Sequence, residues 1–317
     1  MFRPQIAVTL GDPRGVGPEV ARAAIDALDE EAFAALCVVG PDGVLDGRGP
    51  FPAASPPTPG HDGTDVEAGT AAARAIERAV AMALRGEVHG VVTGPLHKPS
   101  LRAAGWNVPG QTELLSALAG EARVGMLMAA ERTRLDAPLR VLLATTHLAL
   151  RDVPGAVDES LLVDQTELLA NALRTDWGIE RPRVALCALN PHASDGGLFG
   201  DEEASVYAPA LTRLRASGLQ VEGPVPADTV FSRALAGEFD AVVAPYHDVG
   251  MAAFKTVAFG TGVNVTIGLP FIRTSPDHGT AFDIAGRGRA DASSMLEAIR
   301  LAARLANTRF DTGQAHV

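Results

Sequence analysis

The stretch that decides the fold is residues 183–203, RVALCALNPHASDGGLFGDEE. After Arg183 its first residues are uniformly apolar and read as a buried strand. His192 stands just past the point where that strand should stop, and Ser194-Asp-Gly-Gly then reads as a turn. Two other apolar runs end alike, Val141-Leu-Leu-Ala-Thr-Thr-His147 and Ala241-Val-Val-Ala-Pro-Tyr-His247. In open parallel sheets, ligands bind outside the carboxyl ends of the strands. Three imidazoles delivered to one such edge form a candidate divalent-metal site. A single histidine after a strand is more often a capping or packing residue, and the long separations here match no compact ligand spacing. Recurrence argues for the metal, since three of the eight histidines hold the same place on separate strands. On the residues alone both readings stand.

Outward from this stretch, strands alternate with helices. Residues 5–10, 33–40, 88–93, 240–244 and 263–267 read as strands, and 125–130 with 139–145 as a pair around the charged turn 131–136. Helices are expected from near Glu19, over 66–85, from the turn 109–113, over 163–173, within 198–217 and over 291–307. In 66–85 the apolar residues Ala72, Ile76, Val80 and Leu84 recur four apart. Such alternation predicts an α/β fold with a largely parallel sheet. Pro18 suits the first turn of its helix, where a missing N–H costs nothing. Gly15-Val-Gly17 does not complete a dinucleotide fingerprint, because Val20 stands where a third glycine is required. A tight strand-to-helix turn is the plainer reading there. Residues 43–65, rich in Pro, Gly, Ser and Asp, read as a surface loop. His97, followed directly by Lys98, is a further strand-end histidine that could face an anion.

The chain has 317 residues, 47% of them hydrophobic, and a net charge of −11. That is the composition of a globular enzyme, and the charge excludes nonspecific nucleic-acid binding, because no basic field exists to displace counterions from phosphates. Cys37 and Cys187 both lie in apolar runs and are expected as buried free thiols. The opening MFRPQIAVTL carries no signal-peptide pattern, and no apolar run reaches about 18 residues, so a cytoplasmic protein that contacts no membrane is expected.

The motifs TLGDPRGVGPE, VTGPLHK, TTHLALRD, NPHASDGGLFGDEE, PADTVF, YHDVGMAAFK and RTSPDHGTAFDIAG follow one another from residue 9 to 286. Together they resemble the 4-hydroxythreonine-4-phosphate dehydrogenase (PdxA) family of vitamin B6 biosynthesis. The GDPRGVGPE and DHGTAFDIAG segments also resemble the broader isocitrate and isopropylmalate dehydrogenase group. The resemblance implies a two-lobed α/β fold with mixed, largely parallel sheets and an active site in the cleft between lobes. Residues 1–108 with 276–317 would form one lobe and 109–275 the other, with a homodimer completing each site. It favours the metal reading, with His147, His192 and His247 as ligands and the third supplied by the partner subunit. The implied metal is zinc, magnesium, manganese or cobalt. Substrate contacts fall on Gln111, Thr112, Lys255, Asn264 and Arg273, and nicotinamide contacts, to NAD or NADP, on His278, Gly279 and Asp283. Lys255 and Asp228 are the implied catalytic groups for proton transfer, although a surface salt bridge is the commoner role for such residues.

The implied reaction oxidises 4-phosphooxy-L-threonine, a small phosphorylated hydroxy acid. A metal lowers the pKa of the substrate hydroxyl so that hydride can leave to the nicotinamide. The resulting ketone, beta to a carboxylate, loses carbon dioxide to give 3-amino-2-oxopropyl phosphate. Three departures bear on the substrate rather than the reaction. Gln111 stands where the family usually has histidine, Val249 where it usually has glutamine, and the 43–65 loop is short. Close alternatives are a four-carbon sugar-acid 4-phosphate (erythronate or threonate) and a cis-dihydrodiol dicarboxylate. A metal hydrolase is the alternative of another class. A metal-binding protein without activity would leave the anion-binding residues unexplained.

Overall fold

The computed structural model describes residues 2–28, 34–40, 42, 44–45 and 62–311. Internal packing divides the chain into two units, Met1–Arg123 with Leu269–Val317, and Val124–Gly268. The first contains β1 (Gln5–Thr9), α1 (Gly17–Asp26), β2 (Ala35–Val39), β3 (Val44–Leu45), α2 (Asp62–Leu84), β4 (Gly90–Thr93), α3 (Lys98–Ala103) and α4 (Gln111–Leu118). The second contains β5 (Gly125–Ala130), β6 (Leu139–Leu143), α5 (Val153–Ala156), α6 (Glu159–Thr175), β7 (Arg183–Cys187) and α7 (Ala208–Ala216). It continues with β8 (Gln220–Val225), α8 (Ala227–Leu235), β9 (Ala241–Ala244), α9 (His247–Ala258) and β10 (Val263–Ile267). The chain then returns to the first unit with β11 (Ile272–Pro276) and α10 (Ser293–Phe310). The sequence reading assigns 109–275 to the second lobe. The structure gives α4 and β11 to the first unit, β11 because it pairs along β4.

Strands of the first unit run in the order β3-β2-β1-β4-β11. All neighbours are parallel except β3, which runs antiparallel to β2. Ile6, Ala7, Val8, Val91 and Val92 are fully buried. Parallel strands covered on both faces read as continuous apolar runs for this reason. α10 lies against β11, burying Met295, Ala298 and Ile299, and the Thr274 hydroxyl donates to the Ala298 carbonyl at 2.8 Å. Met295 and Ile299 each contribute roughly 1.5–3 kcal/mol by leaving water. The turn after β1 meets the turn after β4 backbone to backbone. Gly11 has φ +74°, and a Cβ there would stand 2.1 Å from the Pro95 carbonyl oxygen, so only glycine fits.

Within the second unit the order is β10-β5-β6-β9-β7-β8. β6, β9, β7 and β8 are mutually parallel, while β10, β5 and β6 are antiparallel neighbours, as expected for the pair around 131–136. Val141, Leu143, Val242, Ala244, Val230 and Phe254 form its core under α8 and α9. α6 begins where the Asp158 carboxylate accepts the Leu161 N–H at 2.7 Å, satisfying a donor the helix cannot. The sheets are thus mixed and mostly parallel, as the alternation predicts.

Several elements depart from expectation. β8 holds Gly223-Pro224, a pair that argues against a central strand but is tolerated at a sheet edge, where β8 lies. β11, IRTSP, is fully buried despite its polar composition. α3, α8 and α9 occupy segments not assigned to helices from sequence. Of the expected loop 43–65, residue 43 and residues 46–61 lie outside the described residues. The rest gives β3 and the first turn of α2. Residue 33, the start of the second expected strand, also lies outside. Both cysteines are free thiols, but only Cys187 is buried, and burial pushes its pKa up to about 12. Cys37 is half-buried, because the residues facing solvent on β2 are not fully covered. Among the described residues no helix is long and apolar enough to cross a membrane.

Candidate active site

The three parallel strands β6, β9 and β7 lie side by side, and each runs into one of the histidines singled out above. The β6 register pairs Leu143 with Ala244, so the turns after β6 and β9 emerge together. His147 and His247 accordingly stand with ring centroids 5.8 Å apart. Both line a recess of about 200 Å³ with Thr145, Leu148, Tyr246 and Asp248. His192 belongs to β7, one strand further from β6, and its Nδ1 stands 3.9 Å from Asp228 Oδ2 at the start of α8. Among the described residues, no group of three or more His, Cys, Asp or Glu is gathered closely enough to hold a metal ion. The expected triad is therefore not assembled within the chain. β7 neighbours β9, so strand spacing alone does not separate His192 from His247; His192 lies past the end of β7 in a left-handed turn that sets it near Asp228.

The donor chemistry nevertheless fits a divalent ion. His247 Nδ1 lies 2.7 Å from Asp248 Oδ1, whereas His192 Nδ1, 3.9 Å from Asp228 Oδ2, is beyond hydrogen-bond reach of that carboxylate. An imidazole held at Nδ1 by a carboxylate presents Nε2 outward, which is how metal-ligating histidines are oriented. Two of the three also sit in the left-handed region, His147 at φ 49° and His192 at φ 52°. Ala193, Ser194 and Asp195 continue that conformation at φ 54°, 68° and 45°. Four consecutive non-glycine residues with positive φ cost roughly 1–2 kcal/mol each and persist only where other contacts impose them.

Glu203 imposes them. Its carboxylate, 6% exposed, accepts the backbone N–H groups of Leu189 and Asn190 at 3.0 and 2.7 Å and the Asn190 side-chain amide at 2.9 Å. The Ser194 hydroxyl donates to it as well. Burial pushes its pKa up, but the hydrogen bonds from Asn190 and Ser194 outweigh burial and hold it below the ordinary carboxylate range. Glu202 takes the second Asn190 amide proton at 2.7 Å, and Tyr207 donates to the Cys187 carbonyl at 3.0 Å. The sequence reading missed Glu203, whose signal was an acidic pair closing a glycine-rich turn.

In the first unit, Arg273 on β11 is 2% exposed. Its Nη2 donates to Thr93 Oγ1 at 2.7 Å and to Gln111 Oε1 at 2.5 Å. Burial lowers its pKa to about 10, which leaves the guanidinium charged at neutral pH. Thr112 follows Gln111 in the first turn of α4. In the second unit, Lys255 lies two turns along α9 from His247, its Nζ 5.8 Å from the Phe259 ring centre. Asn264 sits on β10 with its Oδ1 buried and, among the described residues, without a hydrogen-bond partner.

The loop carrying His278, Gly279 and Asp283 is tied to the turn after β1. Val16 donates its N–H to the Thr280 carbonyl at 2.9 Å, and Gly286 donates to Glu19 at 3.0 Å. Gly15 is required by the same approach, since a Cβ there would stand 2.8 Å from Thr280 O. Beneath the loop, the Arg14 guanidinium lies 5.6 Å from the Phe282 ring centre. Arg14 also bonds Asp12 at 2.8 Å, Asp65 at 2.7 Å and Ser100 at 2.6 Å. His97 pairs with Ser100 at 2.7 Å and meets the Phe282 ring edge-on. His278 Nε2 is buried and, among the described residues, has no partner, so the loop holds an unspent polar group suited to a cofactor amide or phosphate. Gly279 leaves open space where a side chain would stand, and Asp283 is exposed.

Comparison with known proteins matches this chain to one family along most of its length. A family model described as pyridoxal phosphate biosynthetic protein PdxA covers residues 51–302. A 4-hydroxythreonine-4-phosphate dehydrogenase of Paracoccus denitrificans (strain Pd 1222) is 42% identical over 322 residues, covering 96% of this chain and 98% of its own. The crystal structure of 4-hydroxythreonine-4-phosphate dehydrogenase from Klebsiella pneumoniae superposes with a TM-score of 0.81 at 37% identity, covering 96% and 99% of the two chains. A terephthalate 1,2-cis-dihydrodiol dehydrogenase from Burkholderia xenovorans LB400 gives 0.63 at 28% identity, covering 96% and 98%. The resemblance carried by the seven motifs thus holds at the level of sequence and of fold, and the chain belongs to the PdxA family.

Proposed function

We propose that this chain is a metal-dependent NAD oxidoreductase that oxidises 4-hydroxythreonine 4-phosphate and releases carbon dioxide and 3-amino-2-oxopropyl phosphate. One observation carries the reading: the relative of that name from Paracoccus denitrificans is 42% identical over 96% of this chain. His147, His192 and His247 hold the divalent ion (zinc, magnesium, manganese or cobalt), one of them reaching it from the partner subunit of a homodimer. The ion supplies Lewis acidity at the reacting oxygen, and NAD or NADP accepts the hydride. Asp248 keeps the His247 ring oriented for this task. Arg273 receives the substrate's anionic group, with Thr112 supplying a neutral hydrogen bond, and Asn264 is a further proposed substrate contact. Lys255 Nζ and Asp228 are the groups for the proton that leaves the substrate hydroxyl. His278, Gly279 and Asp283 line the nicotinamide, where the unspent His278 Nε2 gains a partner. The cytoplasm is the proposed location.

A second reading keeps the reaction and changes the substrate to a cis-dihydrodiol dicarboxylate or a four-carbon sugar-acid 4-phosphate. It is favoured by Gln111, a neutral amide at the anion seat, and by the likeness to a dihydrodiol dehydrogenase. Initial rates of NADH formation on the three substrates separate the readings. The first reading expects kcat/KM for 4-hydroxythreonine 4-phosphate at least tenfold above the others. A reversed order would replace it with the second.

A further inference from the structure

Gln111 and Arg273 are joined in a closed triangle with Thr93. Arg273 Nη2 has two protons, and they go to Thr93 Oγ1 at 2.7 Å and Gln111 Oε1 at 2.5 Å. The Thr93 hydroxyl then donates to the same Gln111 oxygen at 2.6 Å, so both lone pairs of that oxygen are used. Gln111 Nε2 donates to the Gly94 carbonyl at 3.0 Å. These bonds fix which way the amide points, because the flipped orientation would set its NH₂ against two donors. Thr93 is fully buried at the end of β4, and Arg273 is 2% exposed on the neighbouring strand, so the triangle stands on rigid elements.

We infer that Gln111 is a positioning residue that acts on anion binding through Arg273 and not by a contact of its own. The inference rests on the reading above for the identity of the substrate only. A glutamine oxygen suits the task because it accepts two hydrogen bonds and does not titrate. An imidazole has one acceptor nitrogen when neutral, and when protonated it would repel the guanidinium. Thr93 and Gln111 are neutral acceptors, so neither adds a negative charge beside the guanidinium they orient. A fixed fork loses less freedom when it closes on a phosphate or carboxylate, and so binds it more tightly.

A double-substitution cycle tests this on the full-length protein. Binding of inorganic phosphate is measured from its effect on the melting temperature, and KM for 4-hydroxythreonine 4-phosphate is measured in parallel. Gln111→Leu in the wild-type background should weaken both about tenfold or more, with kcat changed less than KM; tenfold corresponds to about 1.4 kcal/mol. In an Arg273→Lys background, where the fork is absent, the same substitution should change them less than about twofold, because residues acting as one unit are not additive. Gln111→Glu serves if the leucine variant does not fold. It keeps an acceptor for Arg273 and Thr93, so it should retain the melting temperature yet weaken phosphate by cancelling the charge. Equal losses in both backgrounds, no effect in either, or a wild-type protein indifferent to phosphate would overturn the inference. Absence of turnover with a non-additive phosphate cycle would instead remove the proposed substrate and leave the role of Gln111 standing.

Discussion

Glu203 illustrates how one carboxylate sets the conformation of a functional turn. It collects the N–H groups of Leu189 and Asn190 and the Ser194 hydroxyl, and thereby holds the left-handed run that carries His192. Glu203→Ala should cost about 2–3 kcal/mol in urea unfolding, since hydrogen bonds to a buried charged group are worth more than neutral ones. The pH dependence has a definite sign. The folded pKa lies below the unfolded value of about 4.3, so the contribution is fully present above pH ~4.3 and is lost as pH falls through the folded pKa. The stability gap between wild type and Glu203→Gln should therefore stay constant from neutral pH to about pH 5 and shrink below about pH 4. A gap that widens on acidification would contradict this account. In the sequence only an acidic pair closing a glycine-rich turn pointed to it. A glutamate closing GLFGDEE looks like a solvated charge until the turn folds over it. The strand-end histidines were legible because each ends a run of residues too apolar to be anywhere but inside.

At the scale of elements, α9 must lie close on β6 and β9 for His247 to stand beside His147. Gly250 makes that possible: a Cβ there would stand 2.6 Å from Leu143 Cδ2 and 3.1 Å from both Val141 Cγ1 and Ala244 Cβ. Gly250→Ala gains about 1 kcal/mol of helix propensity but overpacks a filled core, which costs roughly 1–3 kcal/mol. A net loss of up to about 2 kcal/mol is expected, together with weaker binding of a divalent ion measured by isothermal calorimetry. An unchanged melting temperature with unchanged metal affinity would show that the helix does not need the close approach. The same scale explains which elements the sequence concealed. β11 is buried through hydrogen bonds of Arg273 and Thr274, so its polar residues carry no apolar signature. β8 tolerates Gly223-Pro224 because it is an edge strand, where an unpaired backbone position costs little. By contrast, the β5–β6 pair was legible because a charged turn of the right length separates two apolar runs.

For the whole molecule, the α/β class and the family were legible because seven motifs occur in order over most of the chain. The unit boundaries were less so, since α4 and β11 lie next in sequence to elements of the other unit but pack within their own. The metal triad was legible only as a pattern. The chain brings His147 and His247 together and leaves His192 near Asp228, so the three histidines are not gathered into one group among the described residues. The most direct test of the central claim is NADH formation by the purified protein with 4-hydroxythreonine 4-phosphate and NAD, followed before chelation, after chelation and after restoring zinc, magnesium, manganese or cobalt. The account predicts turnover that chelation abolishes and at least one of these ions restores. Turnover indifferent to chelation would contradict the assignment of the three histidines, and a protein that forms no NADH under any of these conditions would contradict the proposed reaction.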